Sequence, residues 1–157
     1  MKPSVYLETT IASYLSARPS RDLVVAANQA LTREWWTDRS HRFDLFVSQI
    51  VLDEAAGGDV QAAGRRLELL EGPGRLDVTE PCLTLGRAIL RGAKMPARAA
   101  TDALHVAIAA VHQMTYLLTW NCTHIANASM RQGIESVCVA RGFRPPVICT
   151  PLELMEV

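Results

Sequence analysis

The feature that most narrows the fold is an alternation. Five short runs, 4–7, 43–48, 75–78, 116–120 and 147–149, are nearly all apolar, and helical patterns fill the segments between them. The spacing predicts helices over 11–15, 23–36, 51–56, 60–70, 82–91, 101–112 and 129–140, with a last helical turn over 151–155. Short strands without polar alternation are buried on both faces, which is the mark of a parallel sheet covered by helices on each side. The expected class is therefore α/β, a three-layer α/β/α arrangement around a central parallel sheet of about five strands. Ala99, Ala103, Leu104, Ala107, Ile108 and Val111 repeat at helical spacing and give that segment a broad buried stripe.

A chain of 157 residues fits one domain, 1–157, with one core. Hydrophobic residues at 49% and charged residues at 20% exclude a disordered chain. The formal net charge is +0, so nucleic-acid binding requires cations segregated onto one face. Cys82, Cys122, Cys138 and Cys149 form no CxxC pair and sit among apolar neighbours, which reads as reduced, mostly buried thiols rather than zinc ligands. No apolar run approaches the ~20 residues that span a bilayer. The opening Met1-Lys2-Pro3 leads straight into a strand, so no leader is expected and the expected location is the cytoplasm.

In parallel sheets, ligands bind beyond the carboxyl ends of the strands. Glu8 stands just past the first strand, Glu54 lies in the helix after the second, and Asn121 follows the fourth. The helix bearing Asp102 precedes the fourth strand and runs back along it. That helix therefore starts at the same edge. Crowded carboxylates repel unless protonated or bridged by a cation. Oxygen donors with no convergent cysteine favour Mg²⁺ or Mn²⁺ over zinc, a combination suited to phosphodiester hydrolysis.

The stretches VYLETTIASYL, VSQIVLDEAAGGD, TDALHVAIAAVHQMTYLLTWNCTHIAN and PPVICTPLELM resemble the PIN domain, specifically VapC-type toxins of toxin–antitoxin pairs. The resemblance runs from Val5 to near the C-terminus, and the DALHVA helix followed by LLTWN is its most specific part. It implies a Mg²⁺- or Mn²⁺-dependent ribonuclease whose acidic positions fall at Glu8, Glu54, Asp102 and Asn121, with Glu8, Glu54 and Asp102 as metal ligands. Thr10 matches a hydroxyl residue that often accompanies the first acid. The resemblance further implies an RNA substrate, homodimerisation, and a protein antitoxin whose C-terminal tail covers the acidic pocket, often with an Arg among the carboxylates. Two positions depart from the pattern. Glu8 stands where Asp is usual, and Asn121 removes one negative charge. They motivate the alternative of a PIN-like module that binds RNA or a protein through the same pocket with little or no catalysis.

Each residue also has a plainer reading. Glu8 can cap the following helix, and Asp102 can be a first-turn acid with Thr101 as N-cap. Glu54 can be a solvated helix residue, and Asn121 can cap the turn after its strand. His105, three residues after Asp102, is either a packing histidine or a ligand. His124 is either a structural hydrogen-bonder or an ordering and substrate-contacting group. Trp35, Trp36 and Trp120 read as core or interface anchors rather than base-stacking platforms. Arg87, Arg91, Lys94 and Arg98 form the densest basic stretch, either a solvated face or a rail for RNA phosphates that Arg18 and Arg21 would extend. A dinucleotide fold and a P-loop are excluded by the absence of a glycine-rich turn after the first strand. A phosphoacceptor receiver domain lacks its strand-end nucleophile and later lysine.

Overall fold

The structure, a computed structural model, describes residues 1–156. Five strands, β1 (Ser4–Leu7), β2 (Asp44–Ser48), β3 (Gly74–Leu76), β4 (Tyr116–Leu118) and β5 (Val147–Cys149), form one sheet in the order β3-β2-β1-β4-β5. All four pairings are parallel. The helices are α1 (Thr9–Ser16), α2 (Leu23–Asp38), α3 (Gln49–Ala55), α4 (Val60–Leu69), α5 (Glu80–Gly92), α6 (Ala100–Val111) and α7 (Ala128–Ala140). The α1 helix packs against α2, α3 and α4, while α5 packs against α6 and α7. The three-layer expectation is met.

Two windings explain the layers. The chain steps from β1 to β2 to β3 in one direction, then returns to the other side of β1 for β4 and β5. Right-handed crossovers in opposite directions place their helices on opposite faces of the sheet. The strand order therefore reverses between β1 and β4, and the carboxyl ends of those two strands border the crevice where such sheets bind ligands.

Element ends differ from the sequence expectation by a few residues, each for a local reason. The α1 helix starts at Thr9 because the Glu8 side chain accepts from Thr10 N and caps it. The strand expected over 116–120 stops at Leu118, and Trp120 N donates instead to Thr10 Oγ1 at 2.8 Å. The β3 strand opens on Gly74, where a Cβ would sit 2.9 Å from the Phe46 ring. Helix α6 begins at Ala100 with Ala99 as a cap that makes no side-chain bond, so Thr101 is not the N-cap. The cysteines are free and, as expected, mostly buried: Cys82, Cys138 and Cys149 lie inside, while Cys122, following Asn121 in the turn after β4, is exposed. No helix among the described residues is long and apolar enough to cross a membrane.

The core is continuous across both layers. Val5, Tyr6 and Leu7 of β1, Leu117 and Leu118 of β4, and Val106 through Ala110 of α6 are at most 1% exposed. At the amino-terminal end of the sheet, Trp35 meets Phe43 with ring centroids 5.7 Å apart, and Phe43 meets Tyr116 edge-on at 6.2 Å. Thus the expected anchoring role holds for Trp35. Helices α5 and α7 approach at glycines: a Cβ on Gly92 would lie 2.4 Å from Val137 Cγ2. Gly92→Ala is expected to destabilise the fold by about 1–3 kcal/mol through overpacking. Chemical denaturation should find Gly92→Ala/Val137→Ala less destabilised than the sum of its two single changes.

Candidate active site

Glu8 continues the β1 ladder, its backbone N donating to Leu118 O at 3.1 Å. The side chain leaves the strand's end beneath α1 and is only 3% exposed. Both its carboxylate oxygens accept from Thr10 N, at 3.1 and 3.0 Å. Desolvation pushes this carboxyl above its ordinary range, against the pull of the His105 charge and the Thr10 hydrogen bonds; Glu54 adds a smaller push upward. Helix capping and an electrostatically costly burial therefore coincide in one residue.

Glu54 projects from α3, its side chain 39% exposed. Its Oε1 accepts from Thr9 Oγ1 at 2.7 Å and lies 2.5 Å from His105 Nε2. Burial alone would raise its carboxyl, but the His105 hydrogen bond and charge, with the Thr9 hydroxyl, carry it below its usual value. His105, on α6, is 1% exposed and so reaches no solvent. Its Nδ1 lies 2.7 Å from the Tyr6 hydroxyl, which is 2.8 Å from Ser48 Oγ. The Tyr6 hydroxyl bridges the His105 ring nitrogen and the Ser48 hydroxyl. Ser48, Tyr6, His105, Glu54 and Thr9 thus form one chain of hydrogen bonds from core to surface.

Asp102 lies in the first turn of α6 and is half-buried. Its Oδ2 is 2.9 Å from His124 Nδ1. His124 sits on the turn after β4, and its backbone N donates to Asn121 Oδ1 at 3.0 Å. Asn121 N in turn donates to Thr119 Oγ1 at 2.9 Å. The Asn121 carboxamide oxygen is therefore used as a turn cap, which presents His124 to Asp102. Thr10 meets Glu8 through its backbone, while its hydroxyl holds Trp120.

Two of the expected acids form acid–imidazole pairs, Glu54–His105 and Asp102–His124, while Glu8 accepts from Thr10 N. Among the described residues, no three His, Cys, Asp or Glu side chains form a group placed to hold a metal ion. The donor chemistry is nonetheless that of a hard cation: carboxylate oxygens, and no cysteine among these donors. In the basic stretch, Arg87 pairs with Glu80 at 3.6 Å, an exposed contact of little energetic weight. Arg91, Lys94 and Arg98 are exposed, and none of the three is ion-paired among the described residues.

No family model and no curated protein matches the sequence. Solved structures do match. VapBC2 from Rickettsia felis, bound to a DNA fragment from their promoter, aligns with TM-score 0.53 at 15% identity over 93% of this chain and 97% of that one. Mycobacterium tuberculosis VapC20, a sarcin-ricin loop cleaving toxin, aligns with TM-score 0.60 at 14% identity over 76% of this chain and 92% of that one. The chain shares the PIN-like three-layer fold of these structures.

Three residues of this PIN-like site are not singled out by the sequence: Tyr6, Ser48 and Thr9. Tyr6 carries a usable signal, since residues 6 and 8 of one strand face the same side of the sheet. Ser48 and Thr9 carry none, because a single hydroxyl beside a strand end is commonplace. The buried charge at Glu8 has a direct consequence for stability. Its folded-state pKa lies above the unfolded value, so the native protein holds a proton that the unfolded chain has released. Stability then falls as pH rises through that window and levels off above it. In chelator at neutral pH, Glu8→Gln should melt a few degrees above wild type by circular dichroism. That gain should shrink as pH falls toward the ordinary glutamate pKa.

Proposed function

We propose that the chain is a metal-dependent endoribonuclease, the toxin of a toxin–antitoxin pair, working in the cytoplasm as a homodimer. The observation that supports this reading is the PIN-like fold with Glu8 at the end of β1 and the Glu54–His105 and Asp102–His124 pairs on α3, α6 and the turn after β4. The toxin assignment draws on the solved VapBC2 and VapC20 structures. Glu8, Glu54 and Asp102 would hold Mg²⁺ or Mn²⁺, which supplies an activated water and stabilises charge on the transferring phosphoryl group.

The chain's own residues prepare this edge. Thr9 and His105 hold the Glu54 carboxylate by hydrogen bonds that favour its ionised form. His124, positioned by the Asn121 cap, orients Asp102. Binding a cation competes with these hydrogen bonds, so affinity depends on how readily the imidazoles release their acids. Arg91, Lys94 and Arg98 lead into α6 and offer exposed charge to RNA phosphates near Asp102.

Asp102→Asn keeps an oxygen for His124 and removes the charge. It should leave the circular dichroism spectrum unchanged and lower Mn²⁺-supplemented cleavage of structured RNA on the order of 100-fold. Undiminished cleavage would sink the assignment.

A second reading has its own support: each of the three carboxylates is already engaged by a protein donor, and the fourth position is the neutral Asn121. On this reading the domain binds RNA or a protein through the same edge without catalysis. Calorimetry separates the two. The nuclease reading expects Mn²⁺ binding in the micromolar to millimolar range, lost in Asp102→Asn. Absence of Mn²⁺ binding at millimolar concentration, with RNA binding that survives chelator, would leave the second reading standing.

A further inference from the structure

Helix α1 carries more than the cap on Glu8. Tyr14 comes four residues after Thr10, one helical turn, and so stands on the same helix face as the hydroxyl that holds Trp120 N. The Tyr14 and Trp120 rings are stacked, with centroids 5.7 Å apart and planes inclined by 11°. Trp120 is pinned behind this stack. Its indole Nε1 donates to the buried Thr32 Oγ1 at 2.7 Å, and its ring packs on the hydrophobic core. Tyr14 is half-buried and is not among the side chains packed on that core. It is therefore the outer ring of the pair. Burial pushes its phenol up, and Cys122, Asp22 and Glu8 add to that push, so the ring lies within electrostatic reach of the acidic edge.

An outward-facing aromatic ring, backed by a second ring fixed in the core, is a rigid flat surface. At an edge meant for RNA, such a surface fits the face of an unpaired base. The charge pattern agrees. Just beyond α1, Arg18 and Arg21 are exposed and neither is ion-paired among the described residues, which supplies backbone-phosphate contacts in line with Tyr14. Six residues of helical rise separate Glu8 from Tyr14, ~9 Å, so a nucleotide next to the phosphate at the acids can reach the ring.

We infer that the Tyr14–Trp120 stack is a base-binding platform for an unpaired nucleotide of single-stranded RNA, adjoining the scissile phosphate and clamped by Arg18 and Arg21. This deepens the ribonuclease reading and rests on it.

The test uses the full chain in chelator and a fluorescein-labelled single-stranded RNA dodecamer, read by anisotropy, beside the same strand with its bases replaced by abasic sites. Tyr14→Leu should weaken binding of the normal RNA about 10-fold, the size expected for one lost stacking contact. Tyr14→Phe should bind within about twofold of wild type, since the phenol oxygen adds nothing to stacking. With the abasic strand, wild type and Tyr14→Leu should bind alike, an equality that a folding defect would not produce. If Tyr14→Leu binds normal RNA as wild type does, or loses equally on both strands, the platform is overturned while the nuclease reading stands. If wild type binds neither strand and cleaves no RNA with Mn²⁺, the reading beneath the platform fails with it.

Discussion

The hydrogen bond from Glu8 N to Leu118 O fixes the point around which the acidic edge is arranged. It extends the pairing of β1 with β4 one residue beyond the strand and does so at the reversal of strand order. The ladder, not the side chain, thus decides where residue 8 lies. Any carboxylate there enters a space covered by α1 and is largely removed from solvent. The result is an acid with two backbone hydrogen bonds, little solvent and a raised pKa. Folding must absorb the cost of that placement, and the large core below, from Val5 through the buried face of α6, provides the means.

The network around Tyr6 shows how polarity is led through that core without orphaned groups. A buried phenol, imidazole and serine hydroxyl would each be costly alone, yet here each serves another. The chain of bonds ends on Glu54 at the surface, so core packing sets the orientation of an exposed carboxylate. The second pair, Asp102 with His124, is built differently. Its histidine comes from a turn rather than from a buried helix, with its side chain 12% exposed against 1% for His105. One acid is held by the core and the other by a loop, so the two differ in how freely they can move toward a ligand.

The sheet is legible in the sequence because both-face burial writes itself as unbroken apolar runs, and the bounds of β1 and β5 match those runs to the residue. Helix ends are less so. Caps such as Glu8, Asp22 and Asn127 are polar and lie outside the apolar periodicity that reveals a helix. The acidic edge is legible through the rule that ligands sit beyond strand carboxyl ends. Who bonds to whom is not, because His105 and His124 choose partners through long-range packing between α3, α6 and the β4 turn. Which of the four cysteines is exposed, Cys122, is hidden for a related reason. Apolar neighbours in sequence say little about a residue on a tight turn.

Asn121 is better understood as a matter of charge than of geometry. An aspartate at this position could accept the same His124 N–H, so the cap does not demand an amide. What the amide changes is the balance between acids and imidazoles. Three carboxylates face two histidines, and two of the three are paired one to one. A fourth carboxylate beside Asp102 would compete with it for His124 and raise the repulsion that a metal-free edge must bear. With asparagine there, the edge carries one fewer negative charge and His124 has one carboxylate partner, Asp102. Glu8 is the acid of the three whose hydrogen bonds come from the backbone rather than from an imidazole.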